Sequence, residues 1–232
     1  SAGRSGERGQ VVRRLEVVRR RGRGRVACGR KRLLSHGMEL LPERLYHLYN
    51  RGNNGQQVFF SSEHYLYFLR KLRTAAHGKV EVLAWCLMPN HFHLLIWVPP
   101  TPEGRASDFN RHLAIALSSY TRGLNKERNE TGSRFQARTK AKLISVLSGD
   151  SLPYALTCFH YIHQNALRAG LAASLEAWPW SSYRDYAGLR PGTLCAQARA
   201  RELLQLPSSS EGFQLESQQA VDVERLRTYL RT

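Results

Sequence analysis

From Lys79 to Val98 the chain reads KVEVLAWCLMPNHFHLLIWV, apolar at most positions on either side of Pro89–Asn90. Two apolar runs separated by a turn pair predict two buried strands joined as a hairpin. We place the strands at 79–87 and 91–98, with Pro99–Pro100 ending the second. Upstream, RLYHLYNRGNN at 44–54 predicts a strand running into a Gly/Asn turn. Between them, Tyr65, Phe68, Leu69 and Leu72 repeat at helical spacing. Ser61 and Glu63 start this helix and Gly78 closes it, giving 61–78. Phe109, Leu113, Leu117 and Tyr120 stripe a second helix over 107–126. Residues 134–147 read as extended structure, and 151–171 as another long helix stopped at Gly170. The aromatic stretch WPWSSYRDY at 178–186 is expected to pack. Short helical segments are expected at about 195–205 and 217–230.

The order β-α-β-β-α-β-α is that of a ferredoxin-like α+β fold with an antiparallel sheet. Its helices are expected on one face, leaving the other for a ligand. Residues 38–188 form the expected globular domain, and 189–232 a linker and helical tail.

Charge adds a partner class. The 232 residues carry 35 Lys+Arg against 18 Asp+Glu, net +17. Such an excess points to a polyanion, first of all nucleic acid. Residues 1–37 alone hold 12 basic and 2 acidic residues in an Arg/Gly-rich segment without hydrophobic period. That composition predicts a disordered basic arm. It is either a phosphate-binding arm or upstream sequence that does not belong to the globular protein. Cys28, Cys86, Cys158 and Cys195 form no CxxC pair, so a cysteine zinc site is not expected and a reducing cytosol is the default. No apolar run is long enough to predict a membrane span or secretion signal.

Two constellations carry candidate chemistry. In a strand over 91–98, His91 and His93 share one face and Phe92 takes the other. Two neutral imidazoles are too few for a tight zinc site. They suit a loosely held Mg²⁺ or Mn²⁺ completed by substrate phosphate and water. On the helix over 151–171, Tyr161 and Asn165 lie four apart and so share a face. A tyrosine hydroxyl can form covalent intermediates, and an amide oxygen can ligate a hard cation.

The strings MPNHFHLLI, GSRFQARTKAKLI, FHYIHQNALRAGL and WPWSSY occur here in that order. Together they resemble the single-tyrosine HUH transposases, and most closely the REP-associated tyrosine transposase branch, over roughly residues 40–186. The resemblance implies a ferredoxin-like fold, a divalent metal, and cleavage and rejoining of single-stranded or hairpin DNA in the bacterial cytoplasm, at the nucleoid. It makes His91 and His93 metal ligands, Tyr161 the nucleophile and Asn165 the residue completing the metal site. It puts NRGNN, with Arg51, Asn53 and Asn54, near the DNA. Arg134, Arg138, Lys140 and Lys142 of the basic stretch would track phosphates. His163 and Lys140 are the candidates for taking the phenol proton, since a phenol is largely protonated at neutral pH. The chain departs from the pattern at Ala166, where a proline usually follows the Asn, and at Thr139, where an aromatic usually precedes the Lys. A non-catalytic nucleic-acid binder on the same fold and an HUH replication-initiator nickase are the alternatives. Monomer and dimer both remain open.

Overall fold

The computed structural model describes residues 39–100, 105–146 and 152–219. The basic segment 1–37 and nearly all of the helix expected at 217–230 lie outside the described residues. Strand β1 is Arg44–Arg51, helix α1 Ser62–Ala76, strand β2 Glu81–Met88 and strand β3 His91–Val98. Helix α2 follows at Arg105–Arg128, strand β4 at Lys140–Val146 and helix α3 at Leu152–Arg168. Three shorter helices follow among the described residues: α4 Tyr183–Tyr186, α5 Gln197–Leu204 and α6 Ser210–Ser217.

The sheet order is β2-β3-β1-β4, and every neighbouring pair is antiparallel. This is the ferredoxin-like α+β order expected from the element sequence. β3 sits between β1 and β2, so its ladder is satisfied on both sides. Its residues from Phe92 to Val98 are all buried.

Strand alternation sends Phe92 to one face and His93 to the other. The Phe92 face is covered by α1 and α2. Phe92 lies 5.2 Å from Phe68 of α1 and 6.0 Å from Phe135 by ring centroids. Phe68 meets Tyr120 of α2 edge-on at 5.4 Å, and the Tyr120 hydroxyl donates to the Val58 carbonyl at 2.6 Å. The helices do not all share this face, which corrects one feature of the expected architecture. α3 crosses the opposite face, where its Tyr161 ring meets His47 and His93. The cause lies in the strands. Cys86 and Leu95 on that face are wholly buried and apolar, and Ala155, Phe159 and Ile162 of α3 need cover as well. A sheet that is apolar on both faces must be packed on both.

The expected aromatic segment 178–186 closes the free edge of β2. The Leu87 N–H donates to the Trp180 carbonyl and the Ser182 N–H to the Trp85 carbonyl. The Trp180 ring stacks on Tyr65 at 4.4 Å. An edge strand so covered is no template for another chain. Beyond it, α6 backs α3. Phe213 is fully buried, His160 of α3 pairs with Glu216 at 2.9 Å, and the Gln164 amide donates to the Ser217 carbonyl. Among the described residues no helix is long and apolar enough to cross a membrane.

Candidate functional site

The sheet face beneath α3 gathers most of the polar residues singled out in the sequence. Register pairs share a face, so the pairs His91–Arg51, His93–Tyr49, Tyr49–Lys140 and His47–Lys142 all project together. His91 and His93 meet edge-to-face with ring centroids 5.0 Å apart. His91 Nδ1 is 2.6 Å from Asn90 Oδ1, and His93 Nδ1 is 2.8 Å from His47 Nε2. Each ring is held by Nδ1, which leaves Nε2 of each as the candidate ligating atom.

Tyr161 comes from α3. Its ring stands edge-on to His93 at 5.9 Å and to His47 at 6.4 Å. Asn165 follows one turn later and is buried. Its Nδ2 donates to the Tyr161 carbonyl at 3.0 Å, so Oδ1 is the atom it has left to offer. His163, between them in sequence, points away from the histidine pair and toward the outer edge of β2, where Ser182 Oγ bonds the Trp85 backbone. It pairs with Ser182 Oγ at 2.7 Å and packs on Phe159 and Tyr186. A side chain two residues along a helix is rotated by about 200°, so this separation follows from the helix itself. His163 is thereby removed as a base, while Lys140 lies 5.7 Å from the Tyr49 ring on the site's face.

Burial and neighbouring cations keep these imidazoles neutral. Burial, then Arg51, pushes His91 down to about 4. Burial, then Lys142, pushes His47 down to about 3. Burial, with the adjacent histidines, holds His93 well below the ordinary range. Neutral imidazole is the form that ligates metal. Among the described residues no group of three or more His, Cys, Asp and Glu is disposed to hold an ion. The candidate donor set is two imidazole nitrogens and one amide oxygen. It fits a weakly held divalent cation whose remaining positions go to phosphate and water, and it does not fit a closed structural zinc site.

The remaining DNA candidates divide. Arg51, Asn54, Arg138 and Lys140 are exposed, and Lys142 is half-buried. Arg51 lies over the turn, where a Cβ on Gly55 would come within 3.2 Å of its guanidinium. That turn needs glycine at Gly52 too, because a Cβ there would meet the Gln56 carbonyl oxygen at 2.1 Å. Asn53 is half-buried and uses its amide to hold the turn, donating to the Ser133 carbonyl at 2.8 Å.

Arg134 is a correction. It is buried, donates from Nε to Asn125 Oδ1 at 2.6 Å and pairs with Glu130, so it braces the end of α2 instead of facing phosphate. The reading of alternating basic residues assumed a strand from 134, whereas β4 begins at Lys140. Residues 134–136 instead bond the β1 turn: the Asn53 N–H donates to the Arg134 carbonyl and the Gln136 N–H to the Arg51 carbonyl. An Arg134→Met variant is expected to lose about 1–2 kcal/mol of stability, the range for hydrogen bonds of a charged group discounted for a half-exposed partner. Chemical denaturation checks the loss.

Two residues of the site escaped the sequence reading. Tyr49 is the strand neighbour of His93, and His47 is its hydrogen-bond partner. The signal was present: His47 and Tyr49 alternate on one strand face, and a histidine in a buried strand position needs a polar partner. Its partner is 46 residues away and emerges only from the β1–β3 register.

No protein-family model matches the chain. It is 27% identical over 116 residues to a Haemophilus influenzae protein named "Putative REP-associated tyrosine transposase", an alignment covering 48% of this chain and 63% of that protein. The chain thus spans less than two thirds of that relative. A solved structure of a REP-associated tyrosine transposase bound to a REP hairpin aligns at 17% identity with a TM-score of 0.47, over 68% of this chain and 90% of that one. In its ordered motifs and in its curated relative alike, the chain resembles the REP-associated tyrosine transposases.

Proposed function

We propose that this protein is a REP-associated tyrosine transposase that cuts and rejoins single-stranded DNA at or beside a hairpin, with Tyr161 as nucleophile. The observation that supports this most is the seating of Tyr161 edge-on to His93, on the helix that covers the His91/His93 face. The sequence separates these groups by 68 positions, and the fold puts them in contact.

In the reaction, Tyr161 Oη forms a bond to a DNA phosphorus and the bond from that phosphorus to the 3′ oxygen breaks. The products are a 5′-phosphotyrosine and a free 3′-OH. The ester bond is conserved in the exchange, so attack by another 3′-OH reseals the strand and returns the proton to Tyr161. The phenol proton leaves to solvent, and the leaving 3′ oxygen takes one up to become the 3′-OH. Arg51, Arg138 and Lys140 offer exposed cations to the backbone phosphates. Such contacts give affinity and salt dependence with little sequence choice. His91 and His93, with Asn165, would hold Mg²⁺ or Mn²⁺, which when bound polarises the phosphoryl group and stabilises charge on the leaving oxygen.

The test is incubation of the full chain with a hairpin oligonucleotide carrying a single-stranded flank, followed by a denaturing gel. A Mn²⁺-dependent protein–DNA species that survives denaturation is expected. Tight hairpin binding with no such species under any divalent metal would leave a binding protein and overturn the transposase reading.

A further inference from the structure

Both histidines of the pair are gripped from behind. Asn90 Oδ1 lies 2.6 Å from His91 Nδ1, and Asn90 is itself fixed by its amide donating to the Gly55 carbonyl at 3.0 Å. His93 Nδ1 meets His47 Nε2 at 2.8 Å. His47 is 1% exposed and its ring lies between Tyr49, His93 and Tyr161. Its own Nδ1 is buried without a hydrogen-bond partner. A buried imidazole with half its polar capacity unmet is costly for stability. A leucine would fill the same place without that cost, so the imidazole is there for its bond to His93.

We infer that His47 is the positioning residue of the site: it accepts a hydrogen bond from His93 Nδ1–H and so directs the His93 Nε2 lone pair toward the metal, as Asn90 does for His91. The inference rests on the metal reading of the His91/His93 pair. Its chemistry is that of tautomers. A neutral imidazole carries one hydrogen, and a ring that ligates through Nε2 must carry it on Nδ1. At His93 that hydrogen is buried, and His47 Nε2 is the acceptor within reach. The same bond stops the ring rotating about its own axis, so the lone pair keeps its aim. Outer partners of this kind typically change metal affinity by about 10–100-fold.

Three full-length proteins separate the possibilities: wild type, His47→Leu and His47→Gln. Leucine fills the space and removes the acceptor. Glutamine keeps an amide oxygen at about the reach of Nε2. The readouts are Mn²⁺ affinity by titration calorimetry, hairpin affinity in EDTA and the melting temperature. His47→Leu is expected to weaken Mn²⁺ binding by about 10–100-fold. His47→Gln should recover most of that loss, and hairpin affinity in EDTA should be unchanged in both. Wild-type Mn²⁺ affinity in His47→Leu would overturn the inference. So would equal loss in the two variants, or a parallel loss of metal-free hairpin binding, which marks a merely structural role. Absence of Mn²⁺ binding in the wild type, unchanged by His91→Ala, would instead overturn the metal reading on which the inference depends.

Discussion

Replacing Tyr161 with Phe is expected to abolish the covalent protein–DNA species, lowering its rate of formation by at least about 10³-fold, the scale on which losing a nucleophile is felt. The substitution is close to a pure deletion of one oxygen. The Phe ring keeps the edge-on contacts that Tyr161 makes with His93 and His47. Tyr161 is only half-buried, so its loss of the hydroxyl leaves no large cavity. Hairpin binding is therefore expected within about twofold of wild type, since under the proposed function the phosphate-tracking cations would supply the affinity. A variant that still forms the species would move the nucleophile elsewhere. A variant that loses hairpin binding as well would recast Tyr161 as a packing residue.

The second large effect is expected at the histidine pair, and it should take two forms. His91→Ala and His93→Ala should each slow covalent-species formation by about 10²-fold or more, the scale on which removing one polar group from a reacting site is felt. They should differ in stability. His91 is half-buried at the start of β3 and its partner Asn90 can turn to water, so His91→Ala should melt within a few degrees of wild type. His93 is buried, and its removal leaves a cavity and strips His47 of its remaining hydrogen bond. A cost of about 2–4 kcal/mol follows from the lost contacts and the orphaned imidazole. Melting curves beside adduct time courses check both. Equal stability of the two variants would contradict the inner placement of His47 and His93. An unchanged rate in His91→Ala would take His91 out of the proposed metal site.

Local periodicity carried the sequence reading a long way. The period of two in NHFHLLIWV put His91 and His93 on one face, and the spacing of four put Tyr161 and Asn165 on one side of α3. Both relations are internal to a single element, and both are present in the fold. What sequence could not supply was pairing between elements. His47 looks like any residue of a strand until β1 is set beside β3, when it falls on the diagonal from His93. Arg134 looked like one of an alternating basic series until β4 began six residues later and the preceding segment bonded the β1 turn. His163 sits two residues from Tyr161, yet α6 and α4 give that side of α3 its own packing: Phe213 and Tyr186 lie beside it. The side on which α3 packs was likewise hidden. The sequence of β2 and β3 is apolar on both faces, which requires cover on both without saying which helix provides it.

The central claim is that Tyr161 bonds to DNA, and locating that bond tests it most directly. Trypsin should release the segment 143–168, which contains both Tyr154 and Tyr161, from protein reacted with a hairpin oligonucleotide and Mn²⁺ and then digested with nuclease. Fragmentation mass spectrometry of this peptide is expected to find the 5′-phosphonucleotide on Tyr161. A phosphonucleotide on Tyr154 or any other residue, or a Tyr161 peptide recovered wholly unmodified from a sample that contains the covalent species, would contradict the account.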